Sequence, residues 1–273
     1  MKIKFWGVRG SHTVSGIDFL KYGGNTTCLS VEVEDKIFLI DAGSGIINFD
    51  IEESYKYNEF NMLFTHVHID HLQGFMFFNP LYSHSKKVNL FGPMFGNKSF
   101  YKSIKGLMES NLFPVGIEAM VGINSINILQ NNWEKEYVLK EGKLNIQAKI
   151  LNVHPRSGVV VYKFSYNNKS FVFATDVESK EGGLEELVEF SKGTDLLIHD
   201  GQYNDNEYIK KIGWGHSTIN MAITNAKLSN SKILCITHHD IYKNDKSLDE
   251  ELEKSKQDYP SIIFARENLE IKI

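Results

Sequence analysis

Short apolar runs separated by turn residues dominate the first part of the chain. KIKFWGV, CLSVEVE, KIFLIDAG and NMLFTHV lie within residues 2–67, and the glycine-rich turns between them predict that each run is a β-strand. Another strand is predicted at KVNLFGP, which Gly92 and Pro93 close. LQGFMFF, at 72–78, is expected to start a helix. This part of the chain should therefore form one sheet with a helix over it.

The second half repeats this pattern. Strands are predicted at KLNIQAKILNVH, VVVYKFSYNN, SFVFATD, TDLLIHD, KILCITH, IIFA and LEIKI. HSTINMAITNAKLS has helical spacing with Ser217 as its N-cap, and SLDEELEKSKQDY predicts a charged helix. Two strand-rich halves with helices predict an α/β architecture in which two sheets pack face to face with helices outside. We expect a single domain over residues 1–273.

The segment 94–121 has several aromatic residues without a clean period. Three interpretations are open for it. It is a helical lid over a site, a subunit contact that would make the protein a homodimer, or a packed connector.

Composition and charge narrow the function classes. With 42% hydrophobic and 23% charged residues the chain is an ordinary globular protein with a substantial core. Its formal net charge of -4 provides no global field for a long nucleic acid. Cys28 and Cys235 are far apart and have no zinc-site spacing, so we expect free thiols. No apolar run is long enough for a signal peptide or a membrane span, which predicts a cytoplasmic protein.

Three histidines and an aspartate crowd into THVHIDH, where an apolar strand runs out into a loop. The spacing of His66 and His68 projects both imidazoles to one side of an extended backbone, and Asp70 and His71 can face the same point after a turn. Imidazole and carboxylate suit zinc, iron or manganese, and the lack of thiolates argues against a structural zinc finger. A lone histidine would be an ordinary polar residue, whereas this density favours a metal site.

THVHIDHLQG resembles the HxHxDH signature of the metallo-β-lactamase fold. GVRGS, YGGNTTC, LIDAGSG, HP at His154, FATD at Asp176, IHDGQY, GWGHST and THHD follow the order expected for that superfamily. The chain is most similar to the phosphodiesterase branch, which includes tRNase Z and cyclic-nucleotide hydrolases. This resemblance implies a four-layer αβ/βα sandwich with two metal ions at one edge of its paired sheets.

The resemblance also implies a ligand set of seven residues. One divalent ion would be held by His66, His68 and His154, and the other by Asp70, His71 and His238, with Asp176 bridging the two. In THHD we prefer His238, where the strand ILCITH ends, and keep His239 as the alternative. The two ions are expected to be zinc, with manganese or iron as alternatives.

The same branch implies roles in catalysis. Two metal ions can convert a bridging water to hydroxide, which would attack the phosphorus atom of a phosphodiester. Asp70 would orient that water and accept its proton. His216 of GWGHST would protonate the leaving alkoxide; alternatively it only caps the helix that begins at Ser217.

Other polar residues carry weaker expectations. The candidate substrate contacts are Arg9, Asn25 and Tyr203. Alternatively, Arg9 is a surface arginine, Asn25 a turn residue and Tyr203 a packed core residue. Asp41 in LIDAGSG is interpreted as a turn residue or a residue behind the ligands. The remaining histidines, His12, His84 and His199, have no assigned role.

Three functions are compatible with these motifs. The leading hypothesis is a phosphodiesterase for a small diester, above all a cyclic nucleotide, because the chain has neither a basic tract nor the glycine- and lysine-rich arm that tRNA-processing relatives add. The second is an RNA-processing endonuclease of the tRNase Z type. The third is a protein that sequesters a nucleotide without catalysis, which retention of all seven ligands and His216 argues against.

Overall fold

The computed structural model describes residues 1–109, 111, 113–155 and 158–273, without the side chain of Phe95. The strands are β1 (Lys2–Gly7), β2 (Cys28–Val33), β3 (Lys36–Ile40), β4 (Glu59–Leu63), β5 (Lys87–Phe95), β6 (Lys98–Ser99), β7 (Ile123–Leu129), β8 (Trp133–Val138), β9 (Lys143–Leu151), β10 (Val159–Tyr166), β11 (Lys169–Ala174), β12 (Leu196–Asp200), β13 (Ile233–Thr237), β14 (Ile262–Phe264) and β15 (Glu270–Lys272). The α-helices are α1 (Ile46–Glu52), α2 (Phe100–Met108), α3 (Glu185–Phe190), α4 (Asp205–Tyr208), α5 (Ile219–Leu228) and α6 (Asp245–Ser255). Within the ranges given above, no helix has the length and apolar content needed to cross a bilayer.

The strands form two mixed sheets. The first has eight strands in the order β15-β1-β2-β3-β4-β5-β6, and β7 also pairs with β5. The second has seven strands in the order β14-β13-β12-β11-β10-β9-β8. Parallel pairs join β3, β4, β5 and β7 in the first sheet and β11 to β14 in the second, while the other pairs are antiparallel. This confirms the predicted pair of packed sheets with helices outside.

Three apolar layers hold the sheets and helices together. One layer lies between the sheets, and one lies between each sheet and its helices. Along β10, Val160 and Tyr162 point into the layer between the sheets, while Val161 points toward the helices of the second sheet. The layer between the sheets also contains Phe5, Leu29, Phe38, Phe171 and Ile198. The outer layers pack α1 and α2 on the first sheet and α3, α5 and α6 on the second. Strands buried on both faces explain why runs such as LLI and ILCI are continuously apolar.

The predicted strands are all present, but two local predictions are wrong. Residues 72–78 do not start an α-helix; Phe75–Phe77 and Asn79–Tyr82 form 3-10 turns. Pro80 has no N–H, so a helix begun at 72 could not have continued through this segment. The N-cap of α5 is Thr218, whose side chain accepts a hydrogen bond from the backbone N–H of Met221 at 3.2 Å. Ser217 instead donates to the Val177 carbonyl.

The aromatic segment 94–121 contributes to the outer layer of the first sheet. Its helix α2 buries Phe100, Ile104 and Met108 against that sheet. Residues 110 and 112 of the segment lie outside the described residues. A function as lid or subunit contact stays a prediction.

Direct hydrogen bonds join the two sheets just before the histidine motif. The Val160 N–H donates to the Thr65 carbonyl at 2.9 Å, and the Tyr162 hydroxyl donates to the Phe64 carbonyl at 2.6 Å. Both donors belong to β10 of the second sheet, whereas both acceptors lie immediately after β4 of the first. The segment that carries the histidines is thereby fixed to both sheets.

We expect Tyr162→Phe to lower the free energy of unfolding by about 1–3 kcal/mol, because the change removes a donor from a buried carbonyl. Urea denaturation followed by circular dichroism measures this loss. The matched control is Tyr166→Phe, which removes a hydroxyl that bonds Glu34 at the surface. Equal losses in the two variants would contradict the importance of the inter-sheet bond.

Candidate metal centre

One end of the sandwich collects the polar residues that the sequence singled out. The strands β3, β4, β9, β11, β12 and β13 finish at this end, and each continues into a loop that carries a histidine or an aspartate. Parallel strands place their carboxyl ends at one edge of a sheet, which is where α/β folds bind ligands. The site is therefore built from loops of both sheets.

Asp41 organises the histidine motif from behind. Its carboxylate accepts hydrogen bonds from the backbone N–H and the hydroxyl of Thr65 and from Nδ1 of His71, each at 2.8 Å. The bond to Nδ1 leaves Nε2 of His71 facing the site. Metal-binding histidines are commonly oriented in this way, by a carboxylate bonded to the ring nitrogen that does not bind the metal. Asp70 and His71 return toward the strand end through the 3-10 turn Ile69–His71. The structure thus places Asp41 behind the cluster, bonded to His71.

A first group of imidazoles lies on one side of the site. Ligand atoms of His66, His68 and His154 lie within 4.8 Å of one another, and His154 Nε2 is 3.0 Å from His68 Nδ1. His154 Nδ1 bonds the Gly215 carbonyl at 2.9 Å, which turns Nε2 inward. A Cβ on Gly215 would lie 2.2 Å from His154 Nδ1, and its φ of +92° is accessible mainly to glycine, so GWGH needs its second glycine.

A second group lies on the other side of Asp176. His71 Nε2 and His238 Nε2 each lie 3.4 Å from Asp70 Oδ2. The same two nitrogens are 3.1 and 3.2 Å from Asp176 Oδ1. Asp70 Oδ2 also accepts the backbone N–H of Ser11 at 2.7 Å.

Asp176 stands between the two groups. While Oδ1 faces the second group, Oδ2 lies 3.7 Å from His66 Nε2 and 3.8 Å from His154 Nε2. The residue has φ of +55° where β11 ends, an unfavourable backbone conformation for aspartate that the surrounding contacts must hold. One carboxylate can thus serve both groups of nitrogens.

The donors at this site fit metal ions. Within the described ranges six buried side-chain polar atoms lack a hydrogen bond, and three of them are Nε2 of His66, His71 and His238. Nε2 of His71 and of His238 has Asp176 Oδ1 within 3.2 Å, and Nε2 of His66 lies 3.7 Å from Asp176 Oδ2. All three nitrogens thus converge on one carboxylate, as ligands that share metal ions with it would. Two ligands of a tetrahedral zinc ion lie about 3.3 Å apart, close to the 3.0–3.8 Å separations found between these donors.

Burial and neighbouring charge divide the histidines into two kinds. Burial lowers the pKa of His66 far below its ordinary value and that of His68 to about 4, so both rings are neutral at pH 7. Burial would also lower the pKa of His71 and His238, but Asp176 and the other carboxylates raise the first well above its ordinary value and the second to about 9. Without metal, the rings of His71 and His238 are therefore protonated on both nitrogens, and their positive charge balances the carboxylates.

His216 lies at the edge of this cluster. Its Nδ1 bonds Asp200 Oδ2 at 2.8 Å, and its ring stacks on that of His238 with 4.9 Å between centroids. Glu178 fixes the backbone just before His216, because its carboxylate accepts the Gly213 and Gly215 N–H groups at 2.6 and 2.8 Å. Because Nδ1 is occupied, Nε2 is the nitrogen through which His216 can meet a ligand.

The structure separates the two histidines of THHD. His238, at φ +63°, reaches the cluster, while His239 Nε2 turns away to the Ala265 carbonyl at 2.8 Å. Of the histidines without a role, His199 is buried between the Asp200 carbonyl and Asn225. The other two, His12 and His84, are exposed.

The candidate substrate contacts are buried or hydrogen-bonded within the protein. Arg9 is fully buried and donates to the carbonyls of Gly23, Asp240 and Lys243, so it joins two loops rather than lying at the surface, and its role as a substrate contact stays a prediction. In the same region the Asn25 side chain is occupied by Glu267 and Ser44.

Tyr203 is also not open to solvent. Its ring packs edge-on against His216 with centroids 5.9 Å apart, and Lys211 Nζ lies 4.1 Å from the ring centre. Tyr203 therefore packs behind His216.

Sequence reasoning missed three polar residues that organise the site. Asp200 bonds His216, Glu178 holds the loop before it, and Gln202 Oε1 lies 3.1 Å from His238 Nδ1. Asp200 had a detectable signal, because it ends the apolar strand LLIHD just as Asp176 follows SFVFA. Glu178 and Gln202 have no local pattern that marks them.

Comparison with known proteins agrees with this geometry. A family model described as the beta-lactamase superfamily domain matches residues 38–239. Ribonuclease Z of Prochlorococcus marinus (strain MIT 9301) is 26% identical over an alignment of 322 residues that covers 100% of both chains. Ribonuclease Z of Nitrosopumilus maritimus (strain SCM1) is 24% identical, covering 90% of this chain and 93% of that protein.

Solved structures share the fold at low sequence identity. A diphosphatase from the PhnP family superposes with a TM-score of 0.73 at 16% identity, covering 100% of this chain and 97% of that one. The short form of human tRNase Z gives a TM-score of 0.68 at 20% identity, covering 100% and 99%. These likenesses support the four-layer sandwich.

We expect metal binding at pH 7.5 to release protons, because His71 and His238 hold protons in the metal-free protein and must lose them to become ligands. Affinity should consequently fall as the pH is lowered. Calorimetric titration with zinc in buffers of different ionisation enthalpy counts the protons. His238→Ala should reduce the number released and the exposed-residue control His84→Ala should not; a heat independent of buffer would refute the assignment.

Proposed function

The chain belongs to the beta-lactamase superfamily, and from this we propose that it is a phosphodiesterase with a dinuclear metal centre whose substrate is a small diester, above all a cyclic nucleotide. The observation that carries the proposal is Asp176 set between two groups of nitrogens, with the His216–Asp200 pair beside it. We propose further that residues 1–273 act as one hydrolase domain, because the cluster takes residues from both sheets.

The residues would divide between two metal ions according to the side of Asp176 on which they lie. One ion would be held by His66, His68 and His154, and the other by Asp70, His71 and His238, with Asp176 contacting both. The ions, expected to be zinc with manganese or iron as alternatives, would supply positive charge to a phosphoryl oxygen and lower the pKa of a bound water.

Asp70 would orient the attacking water and accept its proton. Its Oδ2 is placed by the Ser11 N–H and by His71 and His238, all within 3.4 Å. The imidazoles beside it hold the pKa of Asp70 well below its ordinary value although burial opposes this, so the carboxylate is ionised at neutral pH. A fixed, ionised oxygen can orient the water, but the low pKa makes Asp70 a weak base, so proton acceptance would rely on the metal ions to acidify that water.

His216 would deliver a proton to the leaving oxygen. Its bond to Asp200 fixes the ring and stabilises the protonated imidazole, in the manner of an aspartate behind a catalytic histidine. Asp200 in turn accepts the N–H groups of Gln202 and Ser217 at 3.0 and 3.3 Å, which hold its carboxylate in place.

Two observations support a small substrate over a structured RNA. The alignment with Ribonuclease Z of P. marinus extends over 322 positions, while this chain has 273 residues, so at least 49 positions have no counterpart here. In addition, the net charge of -4 offers no general attraction for a polyanion. A second candidate, RNA processing, is favoured by the full-length likeness to proteins named Ribonuclease Z.

The proposal is tested by product analysis on the purified chain. With added zinc or manganese, 3′,5′-cyclic mononucleotides and cyclic dinucleotides should be converted to linear nucleotides, and neither a chelated sample nor Asp176→Asn should react. Cleavage of an RNA with a 3′ extension but of no cyclic nucleotide, with a steep loss of rate in salt, would replace the proposal with the second candidate. Tight nucleotide binding without any product would instead support sequestration.

His216→Ala should lower kcat by about 10²–10⁴-fold, because proton delivery by a positioned side chain contributes that much. Metal content, measured by mass spectrometry, should stay at the wild-type value because His216 is not among the seven ligands. His84→Ala serves as the matched control and should retain full turnover. Full turnover in His216→Ala with both metal ions bound would remove the assignment.

A further inference from the structure

A cavity of about 530 Å³ opens beside the candidate metal centre. Its walls come from residues 152–155, from residues 178–180 just after Asp176, and from the loop that precedes His216. His154 belongs both to this cavity and to the cluster, where its Nε2 lies 3.8 Å from Asp176 Oδ2. Cavities of about 450 and 370 Å³ elsewhere include no residue of the cluster.

The cavity combines apolar walls with a few polar groups. Val153, Pro155 and Ile212 line it, and Ile212 is 66% exposed although it is apolar. Asn152 and Lys180 line the same cavity, and both are exposed. Its volume and its mixture of apolar surface with a few polar groups are those of small-molecule sites, although the cavity is wide open to solvent.

The cavity wall and His216 belong to one hydrogen-bonded unit. The carboxylate of Glu178, itself a wall residue, accepts the Tyr208 hydroxyl at 2.7 Å as well as the N–H groups of Gly213 and Gly215. A molecule resting on Ile212 would therefore be held in a fixed relation to His216. The part of a substrate attached to the reacting phosphate would lie in this cavity.

We propose that this cavity is the subsite for the nucleoside of the substrate, with the base against Val153, Pro155 and Ile212 and its polar groups facing Asn152 and Lys180. This inference rests on the proposed function and adds the place where the nucleoside of that substrate binds. Ile212 becomes a specificity residue, because it contacts the base and stands apart from the reacting atoms.

The test compares ligands that share a phosphate and a sugar and differ in the base. The full chain loaded with zinc is titrated calorimetrically with each of the four nucleoside 5′-monophosphates and with ribose 5-phosphate. At least one nucleotide should bind about tenfold more tightly than ribose 5-phosphate, and Ile212→Ser should abolish that preference. Ile209→Ser, at a neighbouring residue that is 69% exposed and does not line the cavity, should keep it.

Two outcomes would overturn the subsite. One is equal affinity for ribose 5-phosphate and all four nucleotides; the other is an equal loss of preference in Ile209→Ser and Ile212→Ser. Hydrolysis of bis(4-nitrophenyl) phosphate, assayed in parallel, separates the two proposals. Turnover of that diester without any base preference would refute the subsite alone. If no diester is hydrolysed, both the proposed function and the subsite are refuted.

Discussion

A buried carboxylate must have positive charge or hydrogen-bond donors beside it, and one end of this sandwich holds four such groups. Asp41, Asp70, Asp176 and Asp200 are all buried, and each lies within 3.4 Å of an imidazole nitrogen. The hydrogen bonds and positive charge that these carboxylates require determine which histidines turn inward and which ring nitrogen each of them presents. The same requirement explains the many hydrogen bonds in the loops at this end of the sheets. The chemistry proposed for the site follows from that arrangement.

The sheets make this arrangement possible. Three apolar layers position the strands, and the hydrogen bonds from β10 to Phe64 and Thr65 fix the start of the histidine motif. The backbone then accepts unfavourable left-handed conformations at Asp41, Asp176 and His238, where three strands end. Such strain persists only where surrounding contacts determine the conformation, and it concentrates at functional sites.

The loop between α4 and α5 contributes both to the surroundings of His216 and to the wall of the neighbouring cavity. Glu178 ties this loop to the segment after Asp176, so the position of His216 and the shape of the neighbouring cavity depend on the same carboxylate. A fold shared by proteins of different names can vary such a loop while its metal ligands stay the same. In this chain the apolar residues of the cavity, such as Ile212, are the ones proposed to determine substrate specificity.

Local pattern in the sequence was enough to predict the strands and the cluster at THVHIDH, because side-chain alternation and ligand density are properties of neighbouring residues. It could not determine that Asp200 lies against His216, that Arg9 is buried between two loops, or that His239 faces Ala265. Those facts depend on contacts between residues 16 to 234 positions apart, which only the tertiary fold brings together. The cavity beside His154 has the same origin, since its walls come from three separate loops.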